Sequence, residues 1–335
     1  MPRSRQDRGG GGSLLTVLVA LGANVLVAIA KSIAALLTGS ASMVAESAHS
    51  WADSGNEVFL LIAERRSRKQ PDDLHPLGYG RDTYVWSLFA AVGLFTVGAV
   101  LSIQHGIAEL TADEPAEDSL IAYIVLGVAF LLEGTSFLRS VHQARQEASD
   151  QDQEVLEHVL RTSDPTVRAV FFEDAAALIG LVIAAAGIAT HQITGSAVYD
   201  AIGSIAIGVL LGVVAVVLIQ VNRQFLIGQV PPPRTVRAVL RLLLAEPEVE
   251  SVSYLHVEFV GPSRVFLVAA VDLVGDQVEH ETAARLVAVA RAVERDEHVV
   301  EAVLTLSEPG ARKLQVEEAQ SAGNEIGGRS AAVAR

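Results

Sequence analysis

The chain has 335 residues, of which 50% are hydrophobic and only 19% charged, with a mean hydropathy of +0.39. A soluble protein usually carries about a quarter charged residues. The absence of cysteine excludes disulfides and thiolate metal sites, and a formal net charge of −14 argues against nucleic acid as a partner.

Residues 1–12, MPRSRQDRGGGG, are basic and glycine-rich, with no small-residue cleavage site before the first apolar block. They read as a disordered arm, not a cleaved signal peptide. A membrane-spanning helix needs about 20 mostly apolar residues. Six segments reach that length: Leu14–Thr38, Ser42–Ile62, Thr83–Ile107, Leu120–Leu138, Val167–Thr190 and Tyr199–Val221. They predict a six-helix transmembrane bundle over residues 13–222, with membrane lipid around it. Gly39–Ser40–Ala41 makes a tight turn between the first two segments, and the glycine-containing stretch His191–Ala197 joins the last two.

Lysine and arginine concentrate in the arm, in the second connector (Arg65, Arg66, Arg68, Lys69, Arg81), in the fourth (Arg139, Arg145, Arg161, Arg168) and after the last segment (Arg223). The opposite connectors carry almost none, and one is acidic, ELTADEPAED. That asymmetry predicts cytoplasmic N- and C-termini in a cell membrane, plasma or inner.

The second segment, MVAESAHSWADSGNEVFLLIAERR, carries Glu46, His49, Asp53, Asn56 and Glu57. Residues three and four apart share a helix face, so these form one polar stripe. Ionisable groups at membrane depth cost about 2.5–3.5 kcal/mol each on insertion scales. They persist where they pair, face a bundle interior or line a pathway. His49 and Asp53 stand one turn apart and can point at one ion. The fifth segment adds the adjacent acids Glu173 and Asp174, and Zn²⁺ accepts such nitrogen and oxygen ligands. The bland reading makes each a satisfied interhelical hydrogen-bonding group. Glu46 and Glu57 either line the approach or pair with Lys31, the cation of the first segment, which could equally snorkel to the surface. Glu133 and Asp200 read as structural partners, and the Gly208/Gly212 spacing as close helix packing. Asp164–Pro165 reads as an N-cap followed by a first-turn proline.

Past Pro231–Pro233 the pattern becomes that of a small soluble domain over residues 229–309. Thr235–Ala245 is helical in period, Glu250–Val260 and Arg264–Leu273 alternate as strands around Gly261–Pro262–Ser263, Glu279–Asp296 is helical, and Val299–Leu306 is a last strand. The order αββαβ predicts a two-layer α+β domain. Residues 310–335 read as a disordered tail. No nucleophile–base motif such as GxSxG appears, and six spans exclude a soluble enzyme.

The stretches TGSASMVAESAHSWADSGNE, HPLGYGRD, SDPTVRAVFFEDAAALIG and ITGSAVYDAIGSIAIG resemble the cation diffusion facilitator family. The EDAAALIG form and the long charged fourth connector are most similar to the branch containing zinc transporter nine. The resemblance implies a homodimeric antiporter that moves divalent metal cations out of the cytoplasm in exchange for protons, with no cofactor and the metal as cargo. It implies a main metal site of His49, Asp53 and Asp174. Where the family has a further ligand one turn before Asp174, this chain has Val170, so Glu173, Glu46, backbone or water supplies the fourth. It also implies a second loop site at Asp72, Asp73 and His75, where Tyr79 replaces a histidine. In the soluble domain, Ser253, Ala269 and Leu306 stand where some members bind a metal pair, so none is expected. Zn²⁺ is the favoured cargo, with Mn²⁺, Co²⁺ and Fe²⁺ open. The missing ligand at Val170 supports the rival reading, a non-transporting scaffold or metal-responsive receptor acting through the soluble domain.

Overall fold

The computed structural model describes residues 10–111, 120–150, 154–276 and 278–316. Most of the expected arm (residues 1–9), most of the acidic connector and the tail beyond 316 therefore lie outside the described residues. The helices in chain order are α1 (Gly10–Thr38), α2 (Ala41–Ser67), α3 (Asp82–Gly93), α4 (Leu101–Glu109), α5 (Leu120–Asp150), α6 (Val155–Arg161), α7 (Pro165–Thr194) and α8 (Val198–Leu226). A π-helical segment, Leu94–Val100, fuses α3 and α4 into one rod. Gly10–Gly12, expected in the arm, are already helical.

Among the described residues, five helices are long and apolar enough to cross a membrane: α1, the α3–α4 rod, α5, α7 and α8. The protein is a multi-pass membrane protein. α2 has the length, at 27 residues, but its polar stripe keeps it out of that set. The rods turn apolar side chains outward, as a lipid-facing surface requires: Leu36 is 85% exposed and Leu131 70%.

Helix ends follow local chemistry. The Asp164 carboxylate accepts a bond from the Thr166 amide at 2.8 Å, with Pro165 in the first turn, as the Asp–Pro pair predicts. Gly195 closes α7 at φ +71°, a left-handed conformation that a side chain would resist. Asp200 on α8 plays the structural part read from the sequence. Its Oδ1 accepts from the Ser42 amide at 3.3 Å at the start of α2, and its carbonyl accepts from Ser42 Oγ at 2.9 Å.

Small residues bring the rods together. A Cβ at Gly106 on α4 would stand 2.8 Å from the Ala201 carbonyl of α8, and one at Gly208 on α8 would stand 2.9 Å from the Ala99 carbonyl. The two rods thus interlock, each glycine receiving the other's backbone. Near the other end of α7, Arg168 is fully buried and donates to the Thr162 carbonyl and to Asn222 Oδ1. The short helix α6, not anticipated from the sequence, is held to α5 by His158 and Glu147 at 3.0 Å.

The chain divides into two compact units, Met1–Arg65 with Tyr84–Arg223, and Arg66–Thr83 with Gln224–Arg335. The second contains α9 (Pro233–Leu244), β1 (Val249–Gly261), β2 (Arg264–Leu273), α10 (Glu279–Val293) and β3 (Val299–Leu306). The sheet order is β1-β2-β3, antiparallel between β1 and β2 and parallel between β2 and β3. Alternate β2 residues Val265, Leu267, Ala269, Val271 and Leu273 are buried. Leu240 and Leu243 of α9 and Val289 and Val293 of α10 are buried with them. The connector Arg66–Thr83 packs on the β1–β2 hairpin in this unit. Gly80 meets Gly261 backbone to backbone, and Arg81 pairs with Glu258.

Candidate functional site

The C-terminal part of the α2 polar stripe, Asp53, Asn56 and Glu57, faces a cavity of about 130 Å³. α2 contributes Ser50, Asp53, Asn56, Glu57 and Leu60; α7 contributes Val170, Glu173 and Asp174; α5 contributes Glu133 and Ser136; α1 contributes Asn24 and Val27. Five carboxylates on three helices share one small space. Hydrogen bonds tie the walls together. Asn56 Nδ2 donates to Glu173 Oε2 at 2.5 Å, Ser136 Oγ to Asp174 Oδ2 at 2.8 Å, and Asn24 Nδ2 to Glu57 Oε1 at 2.6 Å.

Asp53 and Asp174, expected to meet, do line the same cavity. His49 is fully buried and does not line it. Its Nδ1 lies 3.3 Å from Asp53 Oδ1, too poorly aligned for a hydrogen bond, so it reaches the cavity only through Asp53. Glu173, one of the candidates for the fourth ligand, also lines the cavity. The α7 face that looks inward is wide enough for Val170, Glu173 and Asp174 together. Val170 points an isopropyl group into the position where a further ligand was sought. Glu46 does not line the cavity; it is fully buried against Lys31, with Nζ 2.9 Å from Oε2. That settles which of the readings of Lys31 holds: it pairs and does not snorkel. Lys31 also stands 3.7 Å from Glu133 Oε1.

Asn24, Glu133 and Ser136 were not singled out as site residues. The available signal was a polar residue within an otherwise apolar rod, which Asn24 and Glu133 both give. Several buried polar atoms at the site have no hydrogen-bond partner: both ring nitrogens of His49, Asp53 Oδ1, Asn56 Oδ1 and Glu57 Oε2. Each such atom costs about 1–3 kcal/mol. Lone pairs kept unsatisfied around a cavity suit a cation that would take them up. Among the described residues, no group of three or more His, Asp and Glu side chains is already arranged to hold a metal ion.

In the second connector, Asp72 and His75 form a tight turn. Asp72 Oδ2 accepts from the Tyr79 hydroxyl at 2.6 Å, and Oδ1 accepts from the amides of Leu74 and His75 and stands 3.2 Å from His75 Nδ1. Tyr79, standing where a histidine was sought, uses this carboxylate as its own acceptor. The Tyr79 bond, followed by the bonds from the His75 amide and ring and the Leu74 amide, holds the Asp72 carboxyl below its usual range. A depressed native pKa stabilises the turn above the unfolded value and loses that effect as pH falls through the native one. The protection of the Leu74 and His75 amides against exchange, relative to their intrinsic rates, should therefore fall from about pH 4 downward. In Tyr79→Phe the onset should move to higher pH; an unchanged onset would show that the hydroxyl does not hold the carboxylate.

Residues 17–227 match the cation efflux transmembrane domain family. The chain belongs to the cation efflux family. Metal tolerance protein C4 of Arabidopsis thaliana is 37% identical over 262 residues, covering 78% of this chain and 57% of that protein. The mitochondrial proton-coupled zinc antiporter SLC30A9 of Homo sapiens is 35% identical over 259 residues, covering 77% and 46%. Zinc transporter ZitB of Escherichia coli is 24% identical over 272 residues, covering 79% and 81%. The first two place this cation efflux protein in the zinc transporter nine-like branch, and the chain spans about half their length.

Proposed function

We propose that the protein carries divalent metal cations across a membrane by alternating access, in exchange for protons, with the cavity between α2 and α7 as the transport site. The single observation that carries this is the gathering of Asp53, Glu173 and Asp174 around one small cavity, with Asp53 Oδ1 left without a hydrogen-bond partner. α2 acts as the sixth span, its polar stripe turned to the cavity. Asp53 and Asp174 are the principal ligands, His49 joins by rotating past Asp53, and Glu173 stands in for the ligand lost at Val170. Because these groups are not already gathered tightly, binding draws the side chains inward, which favours closure of the helices around the ion. Coordination requires deprotonated ligands. Protons arriving from the far side compete for the same lone pairs and release the cation, so the exchange needs no separate relay.

Zn²⁺ is the favoured cargo, in keeping with imidazole near carboxylates and with the zinc named in two relatives. The carboxylate-rich lining leaves Mn²⁺ a contender. Both termini lie on the cytoplasmic side by the arginine and lysine asymmetry. The protein works as a homodimer, for which Tyr254 and Leu306, 55% and 53% exposed on the sheet, offer contact surface. Purified protein in liposomes, assayed metal by metal across a pH gradient, tests this reading. Zn²⁺ flux that collapses with the gradient is expected. Binding without flux would favour the non-transporting scaffold.

A further inference from the structure

Lys31 is unused by the cycle above. It sits on α1 with no exposed surface, 2.9 Å from Glu46 on α2 and 3.7 Å from Glu133 on α5. Placing an ammonium in such an interior costs several kcal/mol unless it is paired. Glu46, at hydrogen-bonding distance and equally buried, meets that need alone. The second carboxylate is held more loosely, and it is one of the cavity's walls. The ammonium's field also reaches Asp53. One cation fixed to the protein thus shares an acid with the space in which a mobile cation is to bind.

We infer that Lys31 is a positioning residue that competes, as a tethered cation, with the transported ion for the Glu133 carboxylate. The inference rests on the transport reading. An ion entering the cavity draws Glu133 away from the ammonium; when the ion leaves, the ammonium takes the carboxylate back. Transport requires a site strong enough to fill and weak enough to empty. Lys31 supplies the second condition, from outside the cavity and without contacting the ion. Removing it should tighten binding and slow release, so KM and kcat fall together. A lysine that merely held α1 to α2 would not give that split.

The test is Zn²⁺ uptake into proteoliposomes. Lys31→Met combined with Glu46→Gln removes both charges of the tight pair, so no buried charge is left alone. This double variant should lower KM about tenfold, within the usual range of coupling between sites, and lower kcat as well. Adding Glu133→Gln should return KM toward the native value, and Lys31→Arg should keep native kinetics. Native KM and kcat in the double variant, or a fall in KM that Glu133→Gln does not reverse, would overturn the inference. Should the double variant fail to fold, Lys31→Gln with Glu46→Gln, an amide pair that keeps a hydrogen bond without charge, replaces it: a lowered KM supports the inference and a native KM sinks it. Native transport by Asp53→Asn would instead sink the transport reading, whatever Lys31 does.

Discussion

Asp53→Asn should reduce Zn²⁺ uptake into proteoliposomes by more than about 100-fold, exceeding the 10–100-fold typical of losing an outer-shell partner. The substitution keeps size and polarity, so α2 retains its packing, but it removes a negative oxygen that has no hydrogen-bond partner. Asp53 is also the link between the buried imidazole of His49, 3.3 Å away, and the cavity. Its loss therefore costs a ligand and isolates a second one. Ser136→Ala makes a useful contrast. It removes only the 2.8 Å bond that orients Asp174, and should weaken uptake by about tenfold. Equal effects from the two variants would show that Asp53 acts as a structural group.

The second large effect concerns stability. Gly208→Ala should broaden or destroy the monodisperse peak in detergent and lower the thermal unfolding temperature, whereas Gly212→Ala should leave both unchanged. A Cβ at position 208 would lie 2.6 Å from Ile103 Cγ1 and 2.9 Å from the Ala99 carbonyl; at position 212 the nearest atom is the Ala99 methyl at 3.6 Å. The isoleucine can shift, but the carbonyl belongs to the π-helical segment of the rod and cannot move alone. Overpacking of this kind costs about 1–3 kcal/mol, and a backbone clash lies at the upper end. The two glycines form one GxxxG spacing, and alanine raises helix propensity at both positions alike, so a loss confined to position 208 reports the clash.

Much of this was legible in the sequence, for identifiable reasons. The stripe on α2 could be read because a three-and-four spacing of polar residues is unusual in an otherwise apolar stretch. The ends of α7 could be read because Asp–Pro and a following glycine have local chemistry of their own. The strands of the C-terminal domain were legible from alternation on either side of Gly261–Pro262–Ser263. The π-helical segment was not, because LFTVGAV has the composition of any membrane helix and carries no residue that marks a wide turn. α5 runs on to Asp150 past the apolar segment that ends near Leu138, where hydropathy no longer reports a helix. At the site, the placement of Glu46 could not be chosen from sequence, since the stripe offers it both to Lys31 and to the cavity. Only packing decides, and Lys31 has it. Glu173 could be offered only as one of several fourth ligands because a 100° step separates it from Asp174, yet a cavity spanning four helices accepts a broad face.

The central claim is that the cation binds between α2 and α7. Anomalous scattering at the zinc edge, from crystals of the protein grown with Zn²⁺, tests it most directly. The account predicts a peak in the cavity about 2.0–2.2 Å from carboxylate oxygens of Asp53 and Asp174. A peak confined to the Asp72–His75 turn or the C-terminal domain, with none between these two helices at saturating Zn²⁺, would contradict it.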